Sequence, residues 1–156
     1  MARGVVLSVP ALWLSGCAAG PVSVPNVDVL PDDRAACEAL VDAVPGDLGG
    51  RERVPVTPTD ALGAAWGDPA IVMTCGGEAP DLSPTEKCQE VNGVGWYVDQ
   101  ATVDDESVDA TLVAVTHRPV VTLEVPADQR PEGAAAALAD LAEAIQDHTE
   151  LIQPCV

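Results

Sequence analysis

The sequence predicts an α+β fold: a small antiparallel sheet of about five strands, with an N-terminal and a C-terminal helix packed on it and disulfides stapling the assembly. Three observations predict it. Apolar residues recur at helical spacing near both ends of the chain, and successive valine-rich alternating segments lie between them. Four cysteines remain once a fifth is assigned to a different task. At 156 residues the chain fits one domain.

Arg3 precedes an uncharged, mostly apolar run over 4–14, about 11 residues and well short of the ~20 that a spanning helix needs. It has the length of a signal-peptide core. The run ends in Leu14-Ser15-Gly16-Cys17, which resembles a bacterial lipobox, with Cys17 as the lipid acceptor. The plainer readings are a strand near the start with a buried Cys17, or an ordinary signal peptide cut after Ala18 or Ala19. The lipobox reading divides the chain into a signal peptide at 1–16, a tether at 17–30 and an α+β domain at 31–156. Pro21, Pro25 and Pro31, interleaved with valines, make the tether extended.

The first helix starts at Pro31-Asp32-Asp33, carries Ala36, Cys37, Leu40, Val41 and Val44 on one face, and stops at Pro45-Gly46. Residues 51–58, with Pro55 and Pro58, read as an edge strand. Residues 59–66 read as a short helix capped by Thr59 or Asp60. The continuous apolar run 70–75 suits a central strand. Asn92-Gly93 between 88–91 and 94–98 is a hairpin signal. Residues 104–109 form an acidic turn, and 110–116 and 120–125 are alternating strands. The last helix runs from about Pro131 to Leu151, with Leu138, Leu141, Ile145 and His148 as its inward stripe.

Removing Cys17 leaves Cys37, Cys75, Cys88 and Cys155, which permit three pairings. Cys37 on the apolar face of the first helix and Cys75 at the end of the central strand favour a helix-to-sheet bridge. That leaves Cys88 with Cys155, stapling the C-terminus to the sheet. Neither a C-x-x-C nor a Cys/His cluster occurs at zinc spacing, so no metal or other cofactor is expected.

Charge limits the partners. Seven Lys and Arg face 25 Asp and Glu, for −18 overall; once Arg3 leaves with the signal, 6 basic residues remain and the charge is −19. Such a chain is repelled by phosphates, which excludes nucleic acid as a partner. The apolar share of 47% is that of a domain with a core.

The residues as a set resemble an actinobacterial family, domain of unknown function 3515. The matching stretches are Ala36-Cys37-Glu38-Ala39-Leu40, Val56-Thr57-Pro58-Thr59-Asp60, Trp66-Gly67-Asp68-Pro69, Val72-Met73-Thr74-Cys75-Gly76, Glu90-Val91-Asn92-Gly93-Val94-Gly95-Trp96 and Val120 to Pro126. The resemblance implies a secreted or lipid-anchored envelope protein. It implies no activity and therefore no catalytic residues.

Little in the sequence points to catalysis. There is no Gly-x-Ser-x-Gly elbow, and Ser83 lacks a lysine three residues on. His148 reads as a packed or capping residue. The acidic turn around Asp104, Asp105, Glu106 and Asp109 lacks the spacing of a calcium loop. The candidate ligand surface comprises Trp66, Asp68, Trp96, Tyr97, His117 and Arg118: tryptophans able to stack on a sugar or grip a peptide, and an arginine able to pair with a carboxylate, as could Arg130. Core-anchor tryptophans are the plainer alternative. The expected function is that of a non-catalytic envelope lipoprotein on the extracytoplasmic face of the membrane. It is held there by its lipid and binds a wall component or protein partner through an exposed sheet face. The alternative is a small secreted hydrolase using a carboxylate pair, which requires a cleft and a raised pKa.

Overall fold

A computed structural model describes residues 20–82 and 88–155. The first element is β1 (Val22–Ser23), followed by α1 (Arg34–Ala43), which turns Cys37 and Leu40 inward. Val44, preceding a proline, leaves the helix extended at ψ 146° and ends it. Short strands follow: β2 (Asp47–Leu48), β3 (Arg51–Val54), β4 (Val56–Thr57) and β5 (Gly63–Trp66), leading to the wholly buried β6 (Ile71–Cys75). The hairpin of β7 (Gln89–Val91) and β8 (Val94–Val98) turns on Asn92 and Gly93. Their φ values are 47° and 86°, and a two-residue turn that matches strand twist needs both positive. After α2 (Gln100–Asp104) come β9 (Ala110–Ala114), β10 (His117–Arg118) and β11 (Val121–Val125). The long helix α3 (Arg130–His148) and the short β12 (Glu150–Leu151) complete the order.

Among the described residues, eight strands form one antiparallel sheet in the order β2-β3-β5-β6-β11-β9-β8-β7. Two ribbons flank it: β1 lies parallel to β4, and β10 pairs antiparallel with β12. The α+β class stands, but the sheet has eight strands rather than about five. The difference arises mainly at one edge, where β2, β3 and β5 extend the sheet. Residues 63–66, expected as part of a short helix, are a strand instead. Hydrogen bonding to β3 on one side and β6 on the other supplies what a single isolated helical turn would lack. The last helix likewise stops at His148, because residues 150–151 pair with β10.

Strand alternation sorts the core into two layers. Trp66, Met73, Leu123, Leu112 and Trp96 point to one face and pack with Leu40, Leu138, Leu141 and Ile145 of the two long helices. Burying each such side chain contributes about 1.5–3 kcal/mol. On the other face Ala65 and Val72 pack against Val24, backed by Val22, Val54 and Val56. Both expected bridges are present: Cys37–Cys75 joins α1 to β6, and Cys88–Cys155 joins the C-terminus to the start of the hairpin.

The segment 20–30, read from sequence as part of a tether, is extended but not separate from the domain. Val22 N donates to Pro55 O at 2.8 Å, Val24 N to Thr57 O at 3.0 Å, and Gly77 N to Asp28 O at 2.7 Å. Its valines are the reason, since each inward one covers apolar sheet surface that water would otherwise meet. The expected lipobox at 14–17, with Cys17, lies outside the described residues, as does Ser83.

Candidate functional site

The structure separates the six residues expected to form a ligand surface. Trp66 is fully buried, its indole N–H donating to Pro45 O at 2.9 Å. Trp96 is 2% exposed, and its indole nitrogen has no hydrogen-bond partner among the described residues. Both tryptophans are therefore core anchors and offer no stacking platform. A core without phenylalanine takes its bulk from them. Asp68 is exposed on the β5–β6 turn, whereas His117 and Arg118 lie beyond the other end of the central strands: Cys75 stands opposite Val121, so the 67–70 and 117–120 turns point apart. His117 is 3% exposed, with Nδ1 2.9 Å from Thr116 Oγ1, and burial lowers its pKa. The Arg118 guanidinium pairs with Asp33 at 3.2 Å. Of the six, Tyr97 is the one that lies on the sheet face opposite α1 and α3.

That face gathers residues from four adjacent strands. Thr74 stands opposite Thr122, Thr122 opposite Val113, and Val113 opposite Tyr97, giving one row across β6, β11, β9 and β8. A second row sets Val72 against Glu124 and Glu124 against Thr111. Thr111 and Glu124 are exposed, while Thr122, Val113 and Tyr97 are half-buried. Two chain segments border the rows. The N-terminal segment covers the Ala65 and Val72 side through Val24. On the other side the C-terminal segment crosses over β8, with Ile152 N donating to Thr116 O at 2.9 Å and Gln153 Nε2 to Val115 O at 3.0 Å. A Cβ at Gly95 would lie 3.1 Å from that of Cys155, which places this crossing on the same face as Tyr97.

The family model for the protein of unknown function DUF3515 matches residues 1–153. The chain belongs to this family. No curated protein and no solved structure matches it. The threonine hydroxyls donate and accept, Tyr97 adds an aromatic body, and Glu124 is the charge in the rows. With no cation among these residues, the face suits neutral hydroxyl- or amide-bearing ligands better than anions.

Elsewhere in the DUF3515 domain several carboxylates accept backbone N–H groups. Asp99 accepts Ala101 N at 2.9 Å and caps α2, and Asp109 accepts Ala127 N at 2.8 Å. Asp105 accepts the Ser107 hydroxyl at 2.6 Å and its N–H at 2.9 Å, and these bonds lower its pKa. Arg130, expected as a partner for a carboxylate, instead donates to the carbonyls of Thr102, Asp105 and Val108 at 2.7, 2.6 and 2.9 Å. Among the described residues, no three His, Cys, Asp or Glu side chains converge as metal ligands do. His148 is half-buried in the last turn of α3. The rows on the open sheet face were missed from the sequence. The alternation of Thr111 and Val113 with the inward Leu112, and of Thr122 and Glu124 with the inward Leu123, was the available signal.

Proposed function

We propose that this DUF3515 protein is a lipid-anchored envelope domain that binds a wall component or a partner protein, without catalysis, through the helix-free face of its sheet. The observation that carries the reading is the row Thr74, Thr122, Val113 and Tyr97, partly open between two pinned chain segments. The lipobox at 14–17 and the two disulfides support an extracytoplasmic, oxidising location. Hydrolysis by a carboxylate pair would need an acid with a raised pKa in a cleft. Asp105, a carboxyl that its surroundings do displace, moves downward and lies in an exposed turn.

The test is site-specific photocrosslinking in cells that express the full chain. Crosslinkers at Thr111 and Glu124 should yield a discrete adduct that one at Glu143, exposed on α3, does not. Equal adducts from all three positions, or none from the sheet face, would remove the proposed site. Cys17→Ala should abolish palmitate labelling; labelling that survives would remove the anchor.

A further inference from the structure

Resting on the proposed lipid at Cys17, we infer that the turn 67–70 and its neighbours form the membrane-facing end of the domain, and that 117–120 with β12 forms the outward end. The leash from Cys17 to the folded domain is short. Gly20, Pro21 and Val22 line one depression together with Gly67, Asp68 and Ala70. Val22 also borders a second depression, formed by Pro69, Asp109 and Asp128. Backbone bonds to Pro55 and Thr57 hold the chain there from Val22 onward. From Cys17 to Gly20 there are three residue steps, at most about 11 Å at 3.8 Å each.

The chain then runs away from that end. Val24 packs beside Gly63, and the carbonyl of Asp28 accepts Gly77 N past the far end of β6. β6 and β11 are five residues long, about 17 Å, so the 117–120 turn lies at least that far beyond the anchored end. An acylated cysteine on so short a leash keeps the 67–70 end at the lipid headgroups. Attraction to the headgroups is not what holds it there: Glu52, Asp68, Asp109 and Asp128 are all exposed acids, which anionic lipid repels. The leash sets the orientation. The strands then lead away from the bilayer, and the helix-free face looks sideways, open to wall polymers or neighbouring proteins.

The experiment uses the lipidated full chain in phosphatidylcholine vesicles that carry a diazirine on the headgroup, with labelled residues mapped by mass spectrometry. The same spectra report whether Cys17 bears a diacylglyceryl group. The expected result is a several-fold excess of label at 52–55 and 67–70 over 117–120 and 150–153. Inserting about 15 Gly and Ser residues between Ala19 and Gly20 lengthens the leash and should level the two ends. Equal labelling of both ends on a chain with lipidated Cys17 overturns the orientation and leaves the anchor standing. An excess that survives the insertion overturns the leash as its cause. A Cys17 without lipid overturns the anchor and the orientation together.

Discussion

Val24 occupies the space that a side chain at Gly63 would need. A Cβ at Gly63 would fall 2.7 Å from Val24 Cγ1 and closer still to the carbonyl oxygen of Met73. The absence of a side chain is thus what lets the N-terminal segment lie on the sheet. Gly63→Ala should destabilise the domain by about 1–3 kcal/mol through overpacking. It should also speed hydrogen exchange at the amides of Val22 and Val24 more than in the β6 core. Urea midpoints and exchange mass spectrometry measure both, and unchanged exchange at these amides would show that the segment is held by other contacts.

Arg130 organises the loop 100–109 through three backbone carbonyls. Arg130→Ala removes a charged donor from all three and should cost about 1–3 kcal/mol. Exchange should rise at 101–108 and stay unchanged in the hairpin. Lysine cannot reproduce the planar fork, so Arg130→Lys should recover only part of the loss. Full recovery by lysine would mean that charge, not geometry, holds the loop.

The pKa of His117 is lowered by burial from an ordinary value near 6.5. The unfolded chain therefore takes up a proton here at a higher pH than the folded one. The stability tied to the neutral imidazole is fully present above the unfolded value and is lost as the pH falls from about 6.5 toward the lower folded value. The urea midpoint of the native chain should fall between pH 7.5 and 5.5 more than that of His117→Asn. Comparing the two cancels the changing repulsion among the carboxylates, which both share. Parallel midpoints would show that His117 is not the group responsible.

The two disulfides differ in access. Cys37 and Cys75 are both fully buried, whereas Cys88 and Cys155 are half-buried. Mild thiol should open Cys88–Cys155 first, followed by mass after alkylation. The closed loops span 38 and 67 residues, so in the chain-entropy model loss of either bridge removes about 4 kcal/mol. The Cys37→Ala, Cys75→Ala pair should lose more than the outer pair, because it also leaves a cavity in the core. Reduction of the inner bridge first would contradict the burial argument.

Much of the fold was legible along the chain because it rests on local chemistry. Cys37 and Leu40 mark α1 by their spacing, Asn92 and Gly93 announce the hairpin turn, and the run 70–75 stands out as a buried strand. β5 was not legible. Gly63, Ala64 and Ala65 have little strand preference of their own, and only their neighbours β3 and β6 make them extended. The candidate site was read less well. Tryptophans attract a ligand hypothesis, but composition cannot say whether Trp66 and Trp96 look outward. Tyr97 was among the expected residues, yet its partners in the row come from strands as far apart in sequence as Thr74 and Thr122.

The sequence by itself determined the α+β class, the two long helices, the hairpin turn and the four cysteines that pair, because periodicity, turn residues and short motifs act within a few residues of each other. The tertiary structure alone decided which sheet face the helices cover, where the tryptophans go and how closely the N-terminal segment follows the domain. Those depend on register and packing between residues far apart in the chain. Their physical reason is the burial of apolar surface, which rewards any contact that excludes water, whatever its distance in sequence.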